Sequence, residues 1–258
     1  MFTLTLIFRR RRRHVFNVKI LALDTSGQQA GAAIMDEYIT IGEIMINAQS
    51  GPKTWHHSEI LMPAVESMFT LSGHKLQDMD YVAYTAGPGS FTGLRIGAAT
   101  ALGLARGIGK PAIGVPTLDA LAYNVLCMGS FDKEMLVVPL MDARRGQVYA
   151  AVYSVGDAPP RVPHQLSRQT EYLALPIEEI MTLIGSKPAL YLGDGADANK
   201  PAILSKQPHA IFAPQNCNRQ RPASVALCAL HQLETGTASE KINLIYIRDP
   251  QAVRAKKP

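Results

Sequence analysis

The sequence predicts an α/β protein built from two lobes. Three observations support this fold class: three strands in succession open the chain after residue 17, helices and strands alternate after them, and a second series of strands and helices starts near Met135. The chain has 258 residues, of which 47% are hydrophobic and 18% are charged. A chain of this length and composition is able to bury a packed core.

The first lobe begins with a buried strand. Val18 to Asp24 is an apolar run that ends in a carboxylate, and the turn-forming residues Thr25, Ser26 and Gly27 follow it. The next elements are predicted to be strands over residues 30–35 and 39–46, a helix over 58–71, a strand over 81–85, a helix over 92–106 and a strand over 112–115. Apolar side chains at three- and four-residue intervals predict the first helix, and Pro63 is expected to shift its start or kink it.

The second lobe repeats the mixture of strands and helices. Strands are predicted over residues 135–142, 147–155 and 190–193, and helices over 177–185 and 224–233. Proline-containing loops are expected over 156–163 and 206–222, and the polar, basic residues from 248 onward are expected to fray. The predicted organisation is therefore an extension over residues 1–17, a first lobe over 18–116 and a second lobe over 117–258.

The net charge of +5 comes from a short arm at the start of the chain. Five of the 26 Lys and Arg residues are Arg9 to Arg13, and the other 21 equal the 21 Asp and Glu residues. The folded body therefore gives no bulk-charge argument for binding tRNA. We interpret the arm as a disordered extension, although runs of like charge also serve as tails that bind nucleic acid or membrane surfaces.

The cysteines and the hydropathy of the chain predict a cytoplasmic protein. Cys127, Cys217 and Cys228 lie far apart and form neither a metal-binding pair nor a redox dithiol, which suits a reducing compartment. No apolar stretch approaches the roughly 18 residues that a membrane-spanning helix needs. We therefore expect no contact with a membrane.

A glycine-rich turn is the most informative segment. Gly87, Gly89 and Ser90 lie between a predicted strand and a predicted helix, so the chain turns sharply and its amides lead into the positive end of the helix dipole. Such a turn is able to cradle an anion, but a generic tight turn explains the glycines without a ligand and is the favoured interpretation. The residues by themselves leave both interpretations open.

The helix after this turn is rich in glycine and alanine from Gly97 to Gly107. Glycine lowers helix propensity, so a compensating contact is expected. The small residues either pack tightly inside the first lobe or allow a partner helix to approach closely.

Several segments resemble the TsaB (YeaZ) family. They are the run Gly-Pro-Gly-Ser-Phe-Thr-Gly-Leu-Arg-Ile-Gly over residues 87–97, the first strand ending Leu-Asp-Thr-Ser at Ser26, the run His-Ser-Glu from His57, and Leu-Met-Asp-Ala-Arg ending at Arg144. The resemblance extends from about Val18 to Arg248. It implies the two-lobed actin-like, ribonuclease-H-like fold, which also matches the predicted order of elements.

The resemblance also implies a function without catalysis. TsaB is an inactive paralogue of TsaD, the enzyme that transfers threonylcarbamoyl to tRNA adenosine, and it forms a heterodimer with TsaD that the ATPase TsaE joins. The free protein forms a homodimer through the same region, tRNA is contacted only through the complex, and no cofactor or metal is expected. The partner interface implied for this sequence comprises His57, Leu61, Val65, Phe91, Arg95, Ile96, Gly97, Ala101 and Leu104.

Two histidine arrangements bear on metal binding. The catalytic paralogue holds its metal through two histidines four residues apart after the first lobe, and the corresponding positions here are Thr117 and Leu121. His56 and His57 are adjacent, so they project in different directions and do not form a His-Glu-x-x-His motif. We interpret them as helix-start or interface residues.

A vestigial nucleotide or anion site is a further prediction. Its residues would be Asp24, Thr25, Ser26, Gly87, Gly89, Ser90, Asp142 and Arg144. Asp24 is either a metal-binding or general-base carboxylate or, as we prefer, a cap on its own turn, and Asp142 with Arg144 is equally consistent with an ion pair. The alternative functions are therefore an actin-like ATPase or kinase and, less favoured, a metallopeptidase.

Overall fold

The computed structural model describes residues 18–48, 54–128, 132–156, 165–239 and 243–247. The predicted extension over residues 1–17, most of the loop over 156–163 and the residues from 248 onward lie outside this description. Within the described residues, no helix is both long enough and apolar enough to cross a lipid bilayer.

The first sheet has five strands in the order β3-β2-β1-β4-β5. The strands are β1 (Lys19–Asp24), β2 (Gln29–Asp36), β3 (Ile39–Asn47), β4 (Tyr81–Gly87) and β5 (Ala112–Pro116). Strands β1 to β3 form an antiparallel meander, whereas β4 and β5 run parallel to β1. The carboxyl ends of β1 and β4 therefore meet at one edge, where the turn at Ser26 and the glycine-rich turn lie side by side.

The second sheet has seven strands, with β10-β7-β6-β11-β12 as its main path and β8 and β9 as a side branch. Its strands are β6 (Leu136–Asp142), β7 (Val148–Ala150), β8 (Tyr153–Gly156), β9 (Gln165–Arg168), β10 (Leu173–Leu175), β11 (Ala189–Leu192) and β12 (Ile211–Phe212). The antiparallel β6–β7 pair and the parallel β6–β11 pair repeat the plan of the first sheet, as expected from a second lobe that repeats the mixture of strands and helices.

Seven α-helices, counted over the described residues, form three layers around the two sheets. They are α1 (His57–Ser72), α2 (Phe91–Gly107), α3 (Thr117–Tyr123), α4 (Ile177–Ile184), α5 (Asp194–Ala198), α6 (Lys200–Lys206) and α7 (Pro222–Thr235). Helices α1 and α2 cover the outer face of the first sheet, and α4 to α6 cover the outer face of the second. Helices α3 and α7 lie between the sheets, where their side chains join one core with residues of both sheets.

The middle layer affects the predicted division into lobes. Helix α7, which was assigned to the second lobe, packs against β1 and β2 of the first sheet. The apolar pattern of α7 indicated only that one face is buried, and it carried no information on which sheet buries it. The boundary at residues 116 and 117 stays a prediction, and α7 is the exception to it.

The strand predicted over residues 147–155 is wrong in one respect, because it is two strands. Both β7 and β8 pair with β6, but residues 151 and 152 leave the ladder between them. The amide of Val152 instead donates to Thr170 Oγ1 at 3.1 Å. This hydrogen bond comes from a residue 18 positions away, and an apolar run gives no sign of it.

The remaining differences concern short elements and one proline. Helices α3, α5 and α6 and strands β9, β10 and β12 were not predicted, and each has at most seven residues. Pro63 lies inside α1 and does not shift its start, since α1 begins at His57. The other predicted strands and helices are confirmed, with their ends displaced by at most two residues.

Candidate functional site

A cleft of about 810 Å³ lies where the two lobes face each other. Four groups of residues form most of its wall: 26–28 after β1, 88–93 at the start of α2, 141–145 at the end of β6, and 245–247 near the end of the chain. The predicted anion-site residues Ser26, Gly89, Ser90, Asp142 and Arg144 line this cleft. Tertiary structure therefore brings together residues that are more than one hundred positions apart.

Asp24 lies buried at the end of β1 and caps the turn that follows it. Its Oδ1 atom accepts hydrogen bonds from the amide and the hydroxyl of Ser26, both at 2.8 Å. Burial raises the pKa of Asp24 from 3.8 to about 6, although the bonds from Ser26 act in the opposite direction. The predicted capping role of Asp24 is confirmed.

The glycine-rich turn fits closely against neighbouring backbone. A Cβ atom on Gly89 would lie 2.4 Å from the carbonyl oxygen of Ser26, and one on Gly87 would lie 2.4 Å from that of Ile245. The amide of Ser90 donates to Ser26 O at 2.7 Å, and the Ser90 hydroxyl caps α2 by accepting from Gly93 N. The glycines thus have a packing reason that requires no ligand, and the anion site stays a prediction.

The turn between β6 and β7 carries two arginines in an unusual backbone conformation. Arg144 and Arg145 have φ angles of 64° and 57°, in the left-handed region that favours glycine. Asp142 Oδ1 accepts from the Arg144 amide at 2.7 Å, and Asp142 Oδ2 lies 3.6 Å from the Arg144 guanidinium. The alternative of an intramolecular ion pair between Asp142 and Arg144 is therefore confirmed.

Asp194 holds the start of this turn through a hydrogen bond to its backbone. Its Oδ1 atom accepts from the amide of Asp142 at 3.1 Å and from that of Gly195 at 2.9 Å. Burial raises the pKa of Asp194, and the hydrogen bond from the Asp142 amide lowers it. This carboxylate fixes the second lobe's edge of the cleft, a role that the sequence did not predict.

The histidines at the start of α1 occupy the predicted positions. The amide of His56 donates to Glu59 Oε2 at 2.8 Å, as expected for a residue directly before a helix. Burial, followed by the neighbouring His56, lowers the pKa of His57. Where the chain is described, no cluster of three or more His, Cys, Asp or Glu side chains is arranged to hold a metal ion. Thr117 and Leu121 are both fully buried in α3.

The structure divides the nine predicted interface residues into two groups. Leu61, Val65, Gly97 and Ala101 are buried inside the first lobe, so their predicted place on a partner surface is corrected. The reason is that they lie on the inner faces of α1 and α2, against the first sheet. The other five are accessible: Arg95 is exposed, and His57, Phe91, Ile96 and Leu104 are half-buried.

The outward face of α2 carries a different set of small residues. Ala99, Gly103 and Gly107 follow one another at intervals of four and are exposed. A Cβ atom on Gly103 or Gly107 would meet no atom within 4 Å. Exposed apolar side chains of α1 lie on the same side of the sheet, namely Met62 and Leu71. The four-residue spacing was visible in the sequence, but Gly93, Gly97 and Ala101 share it on the buried face, so the spacing alone does not identify the outward one.

The sequence comparisons lead to proteins of tRNA threonylcarbamoylation, with TsaD as the family model and TsaB as the name of the similar proteins. A family model described as TsaD: tRNA N6-adenosine threonylcarbamoyltransferase matches residues 13–251. The tRNA threonylcarbamoyladenosine biosynthesis protein TsaB of Bacillus subtilis is 34% identical over 186 residues, which cover 71% of this chain and 74% of that protein. The protein of the same name from Escherichia coli is 37% identical over 136 residues, covering 53% and 55% of the two chains.

A solved structure supports the fold. YeaZ from Pseudomonas aeruginosa superposes with a TM-score of 0.70 at 22% sequence identity, over 89% of this chain and 100% of that chain. The structural match therefore covers more of this chain than the matches to the two TsaB sequences do. With the two-sheet topology and the relative from Bacillus subtilis, it shows that the chain has the two-lobed actin-like fold and belongs to the TsaB (YeaZ) family.

Proposed function

We propose that this chain is a non-catalytic subunit in the biosynthesis of tRNA N6-threonylcarbamoyladenosine, and that it binds and activates a TsaD-family transferase. The relatives from Bacillus subtilis and Escherichia coli carry this pathway in their names, which supports the coarse assignment. In the proposed complex the TsaD-family protein carries out the transfer, the ATPase TsaE joins near the shared interface, and tRNA meets this chain only through the complex. Its place is the cytoplasm, and the free chain forms a homodimer through the same surface.

The outward face of α2 is the observation that carries this proposal. Gly103 lowers helix stability by about 1 kcal/mol relative to alanine, and no contact within the described chain requires the small size of Gly103 or of Gly107 at the end of α2. The small size of glycine would allow the backbone of a partner helix to approach α2 closely and to pack against it. Leu71 of α1 is 83% exposed, which adds apolar area on the same side of the sheet.

A variant that tests the proposal must alter an exposed residue of α2 and leave the buried face unchanged. Gly97→Arg would drive a side chain into Thr25, so it tests folding rather than binding. Gly103→Arg places the same charge and bulk on open surface, and arginine is a better helix former than glycine. Leu183→Arg is the matched control, because Leu183 is an exposed apolar residue on α4 of the other lobe.

The test is threonylcarbamoyl transfer to tRNA by the TsaD-family protein, TsaE and adenylate-forming enzyme of the same organism. We expect product with the wild-type chain and with Leu183→Arg, and a loss of about tenfold or more when the chain is omitted or carries Gly103→Arg. Full product without the chain would contradict the accessory function. Full product with a folded Gly103→Arg variant would contradict the proposal that the partner binds the outward face of α2.

A further inference from the structure

Arg95 is held in a fixed orientation on the outward side of α2. Its guanidinium carbon lies 3.8 Å from the centre of the Phe91 ring, which is one helical turn earlier. Its Nε atom donates to the hydroxyl of Tyr246 at 3.4 Å. The rings of Phe91 and Tyr246 lie 5.2 Å apart and are tilted by 43°, so the three side chains form one contact cluster.

Tyr246 reaches this contact cluster from the far end of the chain. Residues 243–247 come after α7 and return to the first lobe, where the amide of Ile245 donates to Ala86 O at 2.7 Å. The close contact between Gly87 and the Ile245 carbonyl holds the same segment against the glycine-rich turn. The orientation of Arg95 therefore depends on a residue 151 positions away.

Arg95 forms no ion pair with an acidic side chain where the chain is described. Every ion pair between described residues involves other basic side chains. Arg95 also lies near the positive end of the α2 dipole, and the first turn of α2 contains no acidic residue. Ordering a long side chain costs conformational entropy, and a cation near the positive end of a helix is unfavourable. The position of Arg95 therefore does not serve the stability of the chain, which is typical of a functional residue.

We propose that Arg95, oriented by Phe91 and Tyr246, binds a carboxylate of the protein partner that covers the outward faces of α1 and α2. This inference rests on the proposed function and adds the chemistry of recognition. The planar guanidinium matches a carboxylate through two parallel hydrogen bonds, and arginine is enriched at protein interfaces. A protein carboxylate is favoured over an RNA phosphate because acidic and basic residues balance outside the run from Arg9 to Arg13.

Tyr246 acts in this proposal as a positioning residue. It holds the guanidinium through its hydroxyl and its ring, and it is itself 39% exposed at the edge of the same surface. A loss of Tyr246 should therefore weaken the partner complex only while Arg95 is present. This dependence distinguishes positioning from a general structural effect.

The experiment is calorimetric titration of this chain with the TsaD-family protein of the same organism at about 50 mM and about 500 mM NaCl. We expect Arg95→Gln to weaken binding about tenfold at low salt and to reduce the salt dependence of the affinity. Arg95→Lys should be intermediate, because it keeps the charge and loses the planar geometry. Tyr246→Ala should weaken binding about threefold in the wild type and have no effect beside Arg95→Gln.

Arg168→Gln is the matched control, because Arg168 also stacks on a tyrosine, Tyr172, but lies in the second lobe. It should bind like the wild type, and thermal unfolding should confirm that every variant is folded. Binding of Arg95→Gln within about twofold of the wild type, or with the same salt dependence, would overturn this inference and leave the accessory function standing. An unchanged affinity with altered retention of tRNA by the complex would overturn it in favour of a phosphate. Absence of wild-type binding would overturn both proposals.

Discussion

The hydroxyl of Thr25 lies against Gly97, so that a Cβ atom on Gly97 would be 2.4 Å from Thr25 Oγ1. The same hydroxyl donates a hydrogen bond of 2.7 Å to the carbonyl oxygen of Gly93. The turn after β1 therefore packs directly on the backbone of α2. This contact joins the two parts of the chain that carry the most specific family resemblance.

Two glycines of α2 should respond in opposite ways to alanine. Gly97→Ala should lower the free energy of unfolding by about 1 to 3 kcal/mol, because the added methyl group overpacks against Thr25. Gly103→Ala should raise it by about 1 kcal/mol, because the methyl group enters open space and alanine favours the helix. Urea unfolding of the two variants measures both effects. Equal changes of the same sign would contradict the assignment of inner and outer faces.

Asp24 should make stability depend on pH. Its pKa rises from 3.8 to about 6 on folding, so between these values the native state binds more protons than the unfolded state. Stability is therefore expected to fall as the pH rises through this window. Asp24→Asn removes the titration, and its stability relative to the wild type should increase by roughly 2.5 kcal/mol from pH about 4 to pH about 7.

Chemical denaturation at a series of pH values measures this difference. Ser26→Ala provides a second check, because the Ser26 hydroxyl bonds to the carboxylate and lowers its pKa. Removal of this hydroxyl should raise the pKa of Asp24 in the folded state further, so the pH window in which stability falls should extend to higher pH. Parallel stability curves for Asp24→Asn and the wild type would rule out the raised pKa.

Glu43 connects the edge strand β3 to the start of α7. It accepts from Arg221 Nε at 3.2 Å and Nη2 at 2.5 Å, and from the amide of Ala223 at 2.9 Å. Glu43→Ala should cost about 2 kcal/mol, because it leaves the half-buried guanidinium and the helix amide without an acceptor. Glu43→Gln should cost less, and Glu66→Ala on the exposed face of α1 should cost under about 0.5 kcal/mol. Thermal unfolding measures these changes. Equal losses of stability in Glu43→Ala and Glu66→Ala would contradict the proposed role of Glu43 in joining β3 to α7.

The left-handed backbone of Arg145 should be relieved by glycine. Arg145→Gly is expected to raise stability by about 1 kcal/mol, because glycine adopts a φ of 57° without a steric cost. Arg145→Ala should change stability little, since alanine keeps that cost. A comparison of the two melting temperatures isolates the backbone effect from the loss of charge. A gain of the same size in both variants would show that charge, not conformation, was responsible.

Local patterns were sufficient for most elements but not for the faces of α2. The helix was predicted over residues 92–106, and its many small residues indicated a compensating contact without indicating where it lies. Its inner residue Gly97 and its outer residue Gly103 are the same amino acid, so hydrophobicity gives no contrast between the two faces. Four predicted interface residues were consequently placed on the wrong side of α1 and α2.

The sequence by itself determined the order of strands and helices, the cap that Asp24 makes on Ser26, and the family. These properties depend on neighbours within a few positions, or on motifs that survive as short runs. Only the tertiary structure decided that α7 lies between the sheets, that Asp194 supports the turn at Asp142, and that Tyr246 holds Arg95. Such contacts join residues 50 or more positions apart, and they arise only when packing of the apolar faces has selected one arrangement.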